Sequence, residues 1–158
     1  MNPYLEQAIL NADPVELIRV IYKQAIVWVR EARQHLRNKR IAERSAAIMR
    51  AYANLAELIA SLRPEKAPEL ARLLRRLYVY MQQRLLQANQ QQADGPLEEV
   101  LGLLVELEDA WAGVAAQLAP AREAASEPEA PPVEPRRNGW YRAGQATEER
   151  TGGLALSA

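Results

Sequence analysis

Residues 41–62 read IAERSAAIMRAYANLAELIASL, and this stretch decides the fold. Ile41, Ser45, Ile48, Tyr52, Leu55, Ile59 and Leu62 follow one another at alternating spacings of four and three. A helix turns once in 3.6 residues, so these positions line up as one stripe, the a/d seam of a helical bundle. No segment of the chain alternates with the period of two that marks a half-buried strand.

Reading upstream, Asp13-Pro14-Val15-Glu16 has the form of a helix start. Asp13 can cap, Pro14 has a preset φ, and Glu16 stands at the capping-box return position. The helix that follows runs to about Leu36, with Ile18, Ile21, Ala25, Val29, Ala32 and Leu36 on one stripe and Leu17, Tyr22 and Trp28 widening it. Asn2-Pro3 predicts a short helix ahead of it, to about Leu10.

Reading downstream, Pro64 and Pro68 make residues 61–69 a turn. A helix from near Pro68 carries Leu70, Leu74, Leu77, Met81, Leu85 and Ala88. Asp94-Gly95-Pro96 breaks it, and a last helix carries Leu97, Leu101, Leu104, Leu107, Trp111, Val114 and Leu118. From Pro120 the composition turns to Pro, Ala and Glu, then to a polar end in which Trp140-Tyr141 is the one hydrophobic spot. So little apolar content cannot offset the entropy of ordering. The expected organisation is a helical-bundle domain over residues 1–119 and a disordered tail over 120–158. The expected fold is all-α: an antiparallel up-and-down four-helix bundle with a short extra N-terminal helix. Short connections make consecutive helices antiparallel neighbours.

Composition narrows the function. Apolar residues make up 49% and charged residues 25%, as in ordinary globular proteins. The formal net charge is zero, so no global field draws the chain to nucleic acid or anionic membrane. There is no cysteine, hence no disulfide or thiol chemistry. The longest apolar run, Val100 to Leu107, is interrupted by Gly102 and Glu106 and falls far short of the ~20 residues of a membrane span. The start, Met1 to Glu6, lacks the basic and apolar regions of a signal peptide, which points to the cytoplasm.

Little in the sequence suggests catalysis. His35, the single histidine, stands beside Arg33 and Arg37 and reads as a surface residue. No Glu-x-x-His pair suggests a di-metal site, and no Gly-rich loop suggests phosphate. Neither a metal nor a cofactor is expected, nor an enzyme. Arg30, Arg33, Arg37, Lys39, Arg40 and Arg44 gather around the turn after the second predicted helix. They read either as a patch for nucleic acid or an acidic partner, or as helix-end charge. Zero net charge and the lack of interleaved aromatics favour the second reading. Tyr78 and Tyr80, two apart on a helix, cannot both face one core. Leu73-Leu74, Leu85-Leu86 and Leu103-Leu104 give more apolar width than a narrow seam needs, as a surface that receives a partner's helix would.

The order of several motifs resembles the flagellin export chaperones of the FliS family. Tyr4 is followed by Asp13-Pro14-Val15-Glu16-Leu17, with Pro-x-x-Leu spacing. Ile21-Tyr22 stands where the family has Leu-Tyr, and Leu58-Ile59-Ala60-Ser61-Leu62 closes the third predicted helix. Leu77-Tyr78-Val79-Tyr80-Met81, then Leu85 and Ala88-Asn89, is the most specific element. Leu104, Leu107 and Ala110-Trp111 complete the series. The resemblance spans residues 4 to 112. It departs at Arg63–Pro68, where the family has a glycine-containing linker.

The resemblance implies a cytosolic chaperone that binds the disordered C-terminal segment of flagellin, prevents premature polymerisation and keeps it competent for type III secretion. It implies a flagellar export gate component as a second partner and leaves room for other flagellar regulators. It implies client contacts at Leu17, Ile21, Tyr22, Tyr78, Met81, Leu85 and Asn89, and an N-terminal plug of Tyr4, Leu5 and Ile9 that competes with the client. A monomer or a homodimer suits the stripes. Two other readings use the same residues: a helical-bundle adaptor for another amphipathic helix, and a nucleic-acid binder through the basic turn at residues 30–44.

Overall fold

Proline at a first helical turn, acidic residues close behind it and long apolar stripes produce four helices and no strand among the described residues. These are α1 (Pro14–Arg37), α2 (Ile41–Ser61), α3 (Pro68–Gln91) and α4 (Gly95–Ser126). The computed structural model describes residues 13–126, and side chains over 13–125. The short helix expected near Asn2 to Leu10, the plug residues Tyr4, Leu5 and Ile9, and residues 127–158 lie outside the described residues.

The helix ends follow their local chemistry. Asp13 caps α1 by accepting the Val15 N–H through Oδ1 at 3.1 Å, and Pro14 opens the first turn. Glu16 pairs with Arg19 at 3.0 Å. At the other end of α1 the Arg40 N–H reaches the His35 carbonyl and the Lys39 N–H the Leu36 carbonyl, with Lys39 left-handed at φ 56°. This is the Schellman arrangement, with lysine where glycine is usual. A similar closure ends α3, where Gln92 is left-handed at φ 52° and the Ala93 N–H bonds the Ala88 carbonyl.

Side-chain pairs fix which helices meet. Between α1 and α4, Arg19 bonds Glu108, Arg33 bonds Asp94, and Asp13 pairs with Arg122. Between α1 and α2, Asn54 Nδ2 reaches the Ile21 carbonyl, and the Arg50 guanidinium lies 4.5 Å above the Trp28 ring. Between α2 and α3, Ser45 and Arg44 bond Asn89, and Gln82 bonds the Tyr52 carbonyl. Arg84 and Tyr80 of α3 bond Glu99 of α4. Between α1 and α4, α1 and α2, and α2 and α3, residue numbers rise on one helix as they fall on the other.

The core contains Tyr22, Ala25, Val29 and Ala32 of α1, Ile48, Ala51, Leu55 and Leu58 of α2, Tyr78, Met81, Leu85 and Ala88 of α3, and Leu97, Val100 and Leu104 of α4. At about 1.5–3 kcal/mol for each fully buried large side chain, this burial is the main favourable contribution to folding. On α2 the buried seam is not the one expected. It runs through Arg44, Ile48, Ala51, Leu55 and Leu58, while Tyr52 and Ile59 are only half-buried and Ile41 is exposed. The four-three spacing is correct, but its register is rotated to admit an arginine and an alanine.

The last helix also departs from expectation. Composition places the end of the helical region before Pro120, yet α4 continues through Pro120 to Ser126. Residues 116–125 are all exposed, so water can solvate the carbonyl that proline's missing N–H leaves without a helix partner.

Candidate functional site

The turn between α2 and α3 is built differently from the other two. Leu62 leaves α2 in an extended conformation, where the other two turns close on a left-handed residue, Lys39 or Gln92. Beside the segment Arg63 to Pro68 the apolar side chains are incompletely covered. The result is an open apolar groove of about 170 Å³. Ile18 of α1, Leu58 of α2, Leu62 just beyond it, Leu70, Leu74 and Tyr78 of α3, and Trp111 of α4 line it. Arg63 and Lys66 stand at its polar rim. Leu70 is 52% exposed and Leu73 57%. Leucines on adjacent turns left this open are costly unless something covers them.

The floor is held by hydroxyl chemistry. The Trp111 Nε1–H donates to the Tyr22 hydroxyl at 3.2 Å, and the Tyr22 and Tyr78 hydroxyls are hydrogen-bonded to each other. The two tyrosine rings are tilted by 58° with centroids 6.3 Å apart. Burial raises both phenols above the ordinary tyrosine range, so both stay neutral. A buried polar group is tolerated when its partners are present. This chain therefore ties α1, α3 and α4 together beneath the groove.

The residues expected to contact a partner separate into three groups. Tyr22, Met81 and Leu85 have no exposed surface and Tyr78 almost none. They are core residues here, and only Tyr78 also lines the groove. Leu17 is exposed and Ile21 half-buried against the core. Asn89 lies away from the groove, where its Oδ1 accepts from Ser45 at 2.9 Å and from Arg44 at 3.3 Å. Of the tyrosine pair, Tyr78 is buried and Tyr80 exposed.

The groove residues not expected as client contacts are Ile18, Leu58, Leu62, Leu70, Leu74 and Trp111, of which Leu58, Leu62 and Trp111 do belong to the family motifs. Their signal was the doubled Leu73-Leu74 next to a turn with two prolines. Arg44 was grouped with the surface charges of the basic turn, but it is 3% exposed and bonds both the side chain and the carbonyl of Asn89. Among the described residues no group of three or more His, Asp or Glu side chains is arranged to hold a metal ion. Nor is any helix there long and apolar enough to cross a membrane.

Comparison with known proteins agrees with the motif order. The family model described as flagellar protein FliS matches residues 1–118. A flagellar secretion chaperone FliS of Salmonella typhimurium is 36% identical over 109 residues, covering 68% of this chain and 80% of its own length. The flagellar secretion chaperone FliSB of Pseudomonas aeruginosa is 32% identical over 110 residues, covering 70% of this chain and 87% of its own. A FliS of Bacillus subtilis is 30% identical over 113 residues, covering 70% and 84%.

Proposed function

The chain belongs to the flagellar protein FliS family, and on that premise we propose that it is a flagellar secretion chaperone whose client is the C-terminal segment of flagellin. The role is non-enzymatic. The observation that carries this reading is the open groove between the α2–α3 turn, Ile18 and Trp111, because it offers apolar side chains to a helix that supplies its own apolar face. The scaffold is an antiparallel four-helix bundle, rigid enough to hold such a groove open. Client contacts fall on Leu17, Ile18, Leu62, Leu70, Leu74 and Trp111. Tyr22, Met81 and Leu85 act from within, by shaping what those residues present.

Binding of this kind covers the segment that would otherwise assemble, and so prevents premature polymerisation in the cytoplasm. A client that is disordered when free loses entropy on ordering, so the complex can be tight enough to protect and still release at an export gate component. The N-terminal residues Tyr4, Leu5 and Ile9 act as a plug for the empty groove.

Calorimetry with the last ~40 residues of the host's flagellin, enough for a couple of average helices, tests the reading. One-to-one binding with a large negative heat-capacity change is expected, weakened by Leu70→Glu and strengthened by removal of residues 1–10. Absence of binding from a folded chain overturns it in favour of an adaptor for another amphipathic helix.

A further inference from the structure

A second surface lies on the outer side of α1, where it borders the first turns of α4. Val20 and Val27 are each 48% exposed and stand seven residues apart, two helical turns on one face. Beside them Lys23, Arg30 and Arg37 repeat the same seven-residue interval. An exposed apolar column thus runs alongside a column of positive charge. Val27, Arg30, Arg33, Gln34 and Arg37 of α1, with Leu101 of α4, line a hollow of about 380 Å³ in which Glu31 is the single acid against three arginines, and which shares no lining residue with the apolar groove.

Within this column Lys23 pairs loosely with Glu108 at 3.9 Å, while Arg30 and Arg37 make no ion pair among the described residues. The carboxylates of α4 that reach this side are taken by Arg33, which bonds Asp94 at 2.6 Å and lies 3.5 Å from Glu98. Glu108 is held by Arg19 at 3.0 Å and lies 3.9 Å from Lys23. Arg37 contributes only its field to Asp94. Arg30 has no ion-pair partner among the described residues. Helix-end charge explains Arg37, which stands in the last turn of α1. It does not explain Arg30 or Lys23, which lie further inside the helix, beyond the reach of the terminal dipole.

We infer that this face of α1 is a docking surface for an acidic amphipathic helix of another protein, one with an apolar stripe flanked by carboxylates at seven-residue intervals. Val20, Val27 and Leu101 receive the stripe, and Lys23, Arg30 and Arg37 receive the acids. The apolar column argues for a protein helix over nucleic acid, since no aromatic side chain stands between the cations to stack on bases. This surface leaves the flagellin groove free, so both can be occupied together.

The test uses the full chain and a fluorescein-labelled helical peptide of about three heptads, with leucine in the seam and glutamate on both flanks. A mirror peptide carries lysine in place of glutamate. In anisotropy titrations at low salt the acidic peptide should bind about tenfold more tightly than the mirror, which is what two or three exposed ion pairs supply. The advantage should shrink as salt is added. Arg30→Glu with Arg37→Glu should abolish the preference, and Val20→Ser with Val27→Ser should weaken the acidic peptide without altering the chain's charge. Circular dichroism and flagellin-segment binding should be unchanged in both. Equal binding of the two peptides, persistence of the preference in the arginine variant, or displacement of the acidic peptide by a lower concentration of single-stranded oligonucleotide each overturns the inference. Loss of flagellin binding by the unmodified chain counts against the groove and leaves this surface standing.

Discussion

The two ends of the helices solve the same problem in opposite ways. At one end α1 meets α4 through Arg33 and Asp94, and α2 meets α3 through Arg44, Ser45 and Asn89. Both turns there close with left-handed residues that satisfy the last carbonyls. At the other end the α2–α3 turn leaves α2 through an extended Leu62 without a left-handed closure, and Leu70 and Leu73 remain open to water. A helical bundle can seal an end with polar bonds, or it can leave apolar surface for a partner. Here one end is closed by polar bonds, while at the other, despite the Asp13–Arg122 and Arg19–Glu108 pairs, the α2–α3 turn leaves apolar side chains open.

Substitutions can break that contrast, and the largest effects belong to the shared core. Leu85→Ala should destabilise the chain by about 2–5 kcal/mol in urea unfolding, because a fully buried leucine leaves a cavity. Leu70→Ala, from the open end, should stay within about 0.5 kcal/mol while weakening the client. Arg44→Ala at the sealed end should cost about 1–3 kcal/mol, since the Asn89 carbonyl and side chain lose the guanidinium donors they share in a closed site. Tyr22→Phe should cost about 1–2 kcal/mol by orphaning the Trp111 N–H and the Tyr78 hydroxyl. Trp111 emission should shift with it when read in a Trp28→Phe, Trp140→Phe background.

The pH dependence sharpens the comparison. The Arg33 guanidinium holds the Asp94 carboxyl below the usual carboxylate range. A depressed folded-state value means the pair stabilises fully above the ordinary carboxylate pKa, and the effect is lost as pH falls through the lowered folded value. The stability gap between the unmodified chain and Asp94→Asn should therefore be constant near neutrality and close below about pH 4. It should be less than about 1 kcal/mol, because the carboxylate is partly exposed and screened. Smallest of all, Lys39→Gly should raise stability by about 0.5 kcal/mol. It relieves a left-handed non-glycine residue but loosens the unfolded chain. Thermal melts will read that sign.

Much of this was legible in the sequence, and the misses have physical causes. The starts of α1 and α3 were visible because proline and its neighbours write helix entry locally. The length of α4 was not, because Pro120 falls where full exposure makes the break inexpensive. On α2 the four-three spacing was plain, but its register was not. Arg44 becomes a core residue only when Asn89, forty-five positions away, meets it. For the site, the family motif pointed to Tyr78, Met81 and Leu85, which are fixed by packing. Leu70, Leu74 and Trp111 form a groove only once the helices are side by side, and the doubled Leu73-Leu74 beside the two-proline turn hints at apolar surface there without saying which residues of α1 and α4 complete it.

Hydrogen exchange of the full chain with and without the flagellin C-terminal segment tests the central claim most directly. The account expects new protection over residues 58–74 and around Trp111, with residues 89–94 and the outer face of α1 unchanged. New protection confined to residues 27–37 and 94–101, with the α2–α3 turn unaffected, would contradict it.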